Sequence, residues 1–218
     1  ENKVMSLKTR FGNLGNILDF DNLTEENIYV LNSPILSNSQ FDKFIKYFGG
    51  NYRFLDCFFN EKDNLQDALN NLKIKAEQLV REGIKQIILT DKNITKEKLP
   101  MPMLLCIGAI NAHLINHGLR GYVSINVQTG DALDTHSFAT LIGVGATTVN
   151  PYLALDSLYH RYSKKLFGNL DFNDCVSRYI KSVNLGLLKI MSKMGISVLS
   201  SYRGGCNFET VGLSRTIV

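Results

Sequence analysis

Residues 53–90, RFLDCFFNEKDNLQDALNNLKIKAEQLVREGIKQIILT, hold two apolar runs separated by one amphipathic segment. The first run, Phe54-Leu55-Asp56-Cys57-Phe58-Phe59, is short and bulky, as a buried strand is. From Asn64 to Glu82 the apolar residues Leu65, Ala68, Leu69, Leu72, Ala76, Leu79 and Val80 recur every three or four positions, which lines them along one side of a helix. Asp63 or Asn64 can cap its start, and Gly83 supplies a left-handed exit. Gln86–Thr90 then reads as a second strand.

The alternation continues downstream. Pro102 stands where a helix begins, and Met103 to His117 carries it to Gly118. Tyr122 to Val127 is a third strand, Thr135 to Ile142 a helix closed by Gly143, and Thr147 to Val149 a short fourth strand. Tyr152 to Tyr162 is helical and Ser163 to Asp171 a loop. Asn173 to Met194 is a long helix with Val176, Tyr179, Ile180, Val183, Leu187, Ile190, Met191 and Met194 on one face. Gly195 closes it, Ile196 to Leu199 reads as a fifth strand, and Asn207 to Leu213 as a final helix. Upstream, residues 1–30 are polar and lack a sustained period; they read as an extended lead-in with a short helix around Thr24 to Val30. Ser33-Pro34 breaks the chain before a helix from Ser37 to Phe48.

Strands that alternate strictly with helices pair in parallel, with the helices covering the sheet and right-handed crossovers. Five strands are too few to close an eight-stranded barrel of about 250 residues. The expected fold is α/β with a mainly parallel sheet, in an incomplete barrel-like or open layered architecture. Residues 1–30 form its connector and residues 31–218 the domain proper.

At 218 residues, with 44% hydrophobic and 20% charged residues, the composition is that of a globular domain with a sizeable core. The net charge of +4 is spread among acids, with no basic run that would suit nucleic acid or a membrane surface. No apolar run approaches the roughly 20 residues of a membrane span. Cys57, Cys106, Cys175 and Cys206 are too widely spaced for a zinc knuckle, a CxxC pair or a cluster motif. Three of them, Cys57, Cys106 and Cys175, have apolar neighbours on at least one side, which suits small buried thiols in a reducing intracellular compartment. The chain opens at Glu1 without a signal-like segment, and both ends look like processing boundaries, so no address is read from them.

Four places carry residues with chemical potential. Thr129 to His136 follows the third strand at its carboxyl end, where ligands gather in α/β folds, and it offers Asp131, Asp134 and His136. Acid–base work is one use of such a set. The other is structural: Asp134 caps the next helix and Asp131 shapes the turn. His113 and His117 stand four residues apart at a helix end, a spacing that can present two imidazoles to zinc, but the sequence places no third ligand beside them. Gly143-Val144-Gly145-Ala146 lies between a helix and a strand, the reverse of the order that aims N–H groups at a phosphate, so it reads as a tight turn. Tyr202-Arg203-Gly204-Gly205-Cys206 follows the fifth strand, and there Arg203 could hold a phosphate or carboxylate.

Residues 179–213, YIKSVNLGLLKIMSKMGISVLSSYRGGCNFETVGL, resemble the closing segment of the central domain of glutamate synthase large subunits. The resemblance extends back to about Leu31 through SPIL, PMPMLLCIGAINAHLINHGLR and GVGATTVNPYLAL, in the family's order. It implies an α/β domain packed between a glutaminase domain and an FMN-binding barrel. The family hydrolyses glutamine, passes ammonia through an internal tunnel, and aminates 2-oxoglutarate reductively on FMN with an iron–sulfur cluster, drawing electrons from NAD(P)H or ferredoxin. The motifs for those steps belong to other domains, so the resemblance implies no catalytic, cofactor-binding or metal residues here, and a spacer that helps wall the tunnel. Gln128, Leu133 and Ser137 depart from the family's Glu, Arg and His, which suits a structural loop. Gly205 and Cys206 replace its Ala and Gln. Asp131, Asp134, His136, Tyr202 and Arg203 are therefore read as interdomain-contact candidates. The compartment implied is cytoplasm or plastid. An FMN- or small-acid-binding domain with its own site at the strand ends is the alternative, and a domain whose apolar edges serve self-association a third.

Overall fold

Four parallel strands organise the chain in a computed structural model that describes residues 4–11, 28–205, 207 and 208. Helix α1 (Asn38–Phe48) follows the antiparallel pair of β1 (Thr9–Phe11) and β2 (Tyr29–Leu31). The sheet strand β3 (Tyr52–Asp56) comes next, then a short β4 (Phe58–Asn60), α2 (Leu65–Arg81) and β5 (Gln86–Thr90). After β6 (Lys98–Pro100) come α3 (Met103–Asn116), β7 (Ser124–Gln128), α4 (Thr135–Gly143) and β8 (Thr148–Asn150). The chain finishes with α5 (Tyr152–Ser163), α6 (Phe172–Lys193) and α7 (Leu199–Tyr202). The sheet order is β3-β5-β7-β8, all parallel, and no barrel closes among the described residues. Pro34 to Leu36 lies against the free side of β8, with Val149 N–H donating to Pro34 O at 2.8 Å and Leu36 N–H to Val149 O at 2.9 Å.

Capping explains where the helices begin. Ser37 and Gln40 form a reciprocal capping box on α1, Asn64 accepts from Gln66 N–H at 2.9 Å on α2, and Asp171 accepts from Asn173 N–H at 3.1 Å on α6. Gly83, at φ +87°, ends the α2 turn as its position in the sequence suggests.

Alternate strand residues divide the core. Leu55, Ile87, Leu89, Ile125, Val127 and Val149 face the helices, where they meet Leu72, Ala76, Cys106, Ile107, Ile110, Phe138 and Met191. Each fully buried Ile or Leu there contributes roughly 1.5–3 kcal/mol. Cys57 and Cys106 are fully buried in this layer, and contact with the Cys106 thiol, then burial, pushes the Cys57 thiol well up. On the opposite face Ile88 meets a smaller cluster of Phe11, Leu31, Leu36, Phe41 and Phe44. The Phe11 and Phe44 rings lie edge-on at 5.1 Å.

Several expected elements differ. The run Phe54 to Phe59 is cut at Cys57, whose N–H donates to Thr90 O at 2.8 Å while its carbonyl accepts from Met101 N–H at 2.9 Å. There the chain leaves the parallel sheet, and β4 pairs antiparallel with β6 instead. The third strand starts later than expected because Arg120–Tyr122 forms a 3-10 turn. Tyr29 and Val30, expected at the end of a short helix, are in β2, and the rest of that stretch to Thr24 lies largely outside the described residues.

Ile196 to Leu199 does not join the sheet. Val198 makes a single parallel bridge to Ser6, with Ser6 N–H donating to Ser197 O at 2.8 Å and Leu199 N–H to Ser6 O at 3.0 Å. The chain then turns as α7, which buries Leu199 and Tyr202 together. The expected helix from Asn207 begins with two residues that are not helical, and its remainder lies outside the described residues.

Candidate functional site

Around Ile88, the second face of the sheet carries amides and hydroxyls. Gln86 and Thr90 on β5, Asn126 and Gln128 on β7, and Thr148 and Asn150 on β8 alternate with the apolar residues that face the helices, and all six are buried. They form two hydrogen-bonded tiers. In one, Asn126 Nδ2 donates to Gln86 Oε1 at 2.9 Å while its Oδ1 accepts from Thr148 Oγ1 at 2.7 Å. In the other, Thr90 Oγ1 donates to Gln128 Oε1 at 3.0 Å and Gln128 Nε2 donates to Asn150 Oδ1 at 3.3 Å. Asn150 Nδ2 continues to Leu36 O and Asn38 Oδ1, both at 3.0 Å, which ties the face to the start of α1. Connected buried polar groups of this kind hold a unique geometry because any loss strands a partner.

At the carboxyl ends of the strands the loops are pinned by acids. Asp91, 7% exposed, accepts from Thr129 Oγ1 at 2.5 Å and from Gly130 N–H with both oxygens at 3.1 Å. A Cβ on Gly130 would stand 3.3 Å from the Leu153 side chain and 3.4 Å from the Tyr152 hydroxyl. Burial first, then the Asp91 carboxylate, pushes the Tyr152 phenol up to about 12, so it stays a donor at neutral pH. Asp131 accepts from Met103 N–H at 3.1 Å, capping α3 where Pro102 offers no side chain. Asp134 accepts from Ser137 N–H at 2.8 Å and Ser137 Oγ at 2.7 Å, bonds that hold its carboxyl below the usual range. His136 is exposed, its ring 6.4 Å from Phe208. Among the described residues the hydroxyls that reach a histidine, Thr140 on His136 and Ser163 on His160, donate to its backbone carbonyl and not to its ring.

Arg203 lies elsewhere than the sequence suggests. Because Ile196 to Leu199 is not a sheet strand, the loop after it falls beside the edge where β7 and β8 begin. There Arg120 donates to Asn111 Oδ1 and Val123 O at 2.6 Å and to Gly145 O at 2.9 Å. Burial, then the neighbouring Arg203 charge, lowers the Arg120 guanidinium to about 10. Burial also lowers Arg203, and its buried Nε has no hydrogen-bond partner among the described residues. Gly145, at φ +132°, makes the tight turn expected of it, with Asn111 packed against its Cα. Tyr202 is fully buried and donates to Ala139 O at 3.0 Å; burial pushes its phenol up to about 12.

The structure also supplies what His113 and His117 lacked in the sequence. Glu77 of α2 comes to 2.7 Å from His113 Nε2. No local signal marks this residue, which is one of many polar positions flanking the apolar stripe of α2.

Fold and site together define an open α/β layer with a buried polar face and capped loops. Residues 1–214 match the family described as the glutamate synthase central domain, and the chain belongs to that family. It is 47% identical over 221 residues to the glutamate synthase (NADPH) large chain of Azospirillum brasilense, and 36% identical over 233 residues to the chloroplastic ferredoxin-dependent glutamate synthase of Spinacia oleracea. Each match takes in the whole chain but spans only 14% of the relative's length, so in those proteins the region is one part of a much longer polypeptide. A flavocytochrome b2 with sulfite bound superposes at a TM-score of 0.48 with 12% identity, over 80% of this chain and 53% of that one, a likeness too slight to carry an argument.

Proposed function

We propose that this chain is the non-catalytic central module of a glutamate synthase, linking the glutaminase and FMN-binding domains of one polypeptide and helping to wall the passage of ammonia between them. The parent activity is formation of glutamate from glutamine and 2-oxoglutarate, with FMN, an iron–sulfur cluster and an electron donor, NAD(P)H or ferredoxin, all bound outside this segment. The observation that carries the reading is the state of three acids at the strand ends: Asp131 and Asp134 hold helix N-termini and Asp91 holds a loop, which is structural work. A wall must be rigid and well packed, and the amide tiers behind those loops provide that.

Interdomain contacts are assigned to the outward groups of the sequence-derived set: Asp131, Asp134, His136 and, on the opposite sheet edge, Arg203. Half-buried Arg203, whose Nε is without a partner among the described residues, lies beside Arg120 and suits an acidic partner from a neighbouring domain. Tyr202 contributes by holding the Arg203 loop onto α4.

The test is stoichiometric. In the full-length enzyme, Arg203→Ala raises glutamine hydrolysed per 2-oxoglutarate aminated above one, because ammonia escapes a loosened joint. A ratio held at one in this variant and in a deletion of the module sinks the proposal. Saturable FMN uptake by the isolated chain favours the alternative, a ligand site at the strand ends.

A further inference from the structure

The C-terminal ends of α2 and α3 bring together Glu77, His113 and His117, whose ligand atoms all lie within 4.8 Å of one another. We propose that these residues form a surface site for a divalent transition metal of the zinc class, which clamps α2 to α3. The site is separate from the strand-end loops and owes nothing to the reading of the parent reaction.

The geometry settles several points that a pair of histidines alone leaves open. His117 Nδ1 lies 2.8 Å from the backbone carbonyl of His113. A carbonyl only accepts, so that nitrogen carries the hydrogen and the neutral ring presents its Nε2 lone pair outward. This backbone contact fixes tautomer and ring orientation in the way that second contacts of metal-bound histidines do. The Nε2 atom lies 3.9 Å from Glu77 Oε2, and His113 Nε2 lies 2.7 Å from the same oxygen. The two imidazole rings stand 4.2 Å apart, tilted by 40°.

Arg81 completes the arrangement. Its Nε and Nη2 bind Glu77 Oε1 at 2.8 and 2.7 Å, which occupies one carboxylate oxygen and aims the other at both rings. Two imidazole nitrogens and one carboxylate oxygen make the ligand set of a three-residue zinc site with an open fourth position. Metal–nitrogen and metal–oxygen bonds of about 2.0–2.2 Å require ligand atoms a little over 3 Å apart, between the two separations seen here. The side chains of Glu77 and His113 are about one-fifth exposed and that of His117 is 42% exposed, so an ion can reach the site and water can fill its open position. Binding replaces the hydrogen bond between His113 and Glu77: the ring hydrogen moves from Nε2 to Nδ1 by way of solvent, and the Nε2 lone pair is freed for the ion. The positive charge of Arg81 opposes the ion, and nitrogen ligands rather than net charge set the preference for zinc, copper or nickel over magnesium and calcium.

The experiment is zinc titration of the full-length polypeptide at pH 7.5 by calorimetry, comparing wild type with His117→Ala, Glu77→Gln and His160→Ala. His160 is an exposed histidine on α5, remote in sequence from the cluster. The expected result is one fewer zinc equivalent, or at least tenfold weaker uptake of one equivalent, in His117→Ala and Glu77→Gln, with His160→Ala unchanged. Thermal melting guards against misfolding: without metal His117→Ala melts with the wild type, and added zinc raises the midpoint only where the cluster is intact. Equal stoichiometry and affinity in all four proteins, or a zinc-induced shift that survives His117→Ala, overturns the proposal.

Discussion

Asp134 shows how much one side chain can be read from its neighbours. Its place one residue before an apolar helical run marks it as a cap, and it accepts from both the N–H and the hydroxyl of Ser137. Asp134→Ala is expected to destabilise the chain by about 0.5–2 kcal/mol, measured by denaturant unfolding near pH 7. The sign with pH follows from the lowered folded-state value. The contribution is complete above the unfolded carboxyl value of about 3.9 and disappears as pH falls through the lower folded value. The wild-type and variant stabilities therefore converge in acid, and a gap that stays constant to low pH contradicts the capping role. Glu77, and the surroundings of Arg203 though not the residue itself, were illegible for the opposite reason. Their neighbours in sequence say nothing of the partners that matter, which arrive from another helix or another sheet edge.

At the scale of elements, helices were the most readable. The stripe on α2, the acids and amides at the N-termini and the glycines at the exits all agree with one another. The strands were readable in position but not in character. Ser-Ile-Asn-Val-Gln alternates on close inspection and Gln-Ile-Ile-Leu-Thr departs from alternation only at Ile88, yet short apolar content suggested burial between helices on both sides. The buried amide face is visible only once register sets Asn126 beside Gln86 and Thr148. Ile196 to Leu199 has strand composition and fails to enter the sheet, because Ser6, far away in the chain, supplies its partner. β6 escaped notice since Lys98-Leu99-Pro100 ends in a residue that donates no ladder hydrogen bond. The tiers make their own prediction. Asn126→Leu leaves Gln86 Oε1 and Thr148 Oγ1 without their partner and is expected to cost about 1–3 kcal/mol for each stranded group. A loss well under 1 kcal/mol in unfolding experiments would mean that the tier is dispensable.

For the whole molecule the open parallel layer was legible from strand count, and the absence of closure among the described residues agrees with it. The two margins of the sheet are unequal. β8 is covered by Pro34 to Leu36, whereas β3 is an edge among the described residues, with Arg53, Phe54 and Asp56 exposed. Native-state hydrogen exchange is expected to rank β5 and β7 as the slowest strands and β3 as the fastest of the four, since protection follows burial and pairing on both sides. Uniform protection across the sheet would contradict this order.

The bridge between Ser6 and Val198 has a mechanical consequence. The two segments run in the same direction side by side, joined by Ser6 N–H to Ser197 O and Leu199 N–H to Ser6 O. Tension drawing the preceding chain one way and the following chain the other slides these segments along their shared axis instead of peeling them apart. Both bonds then carry the load together, and the helices and sheet enclosed between residues 6 and 198 are shielded from stretching until that joint slips.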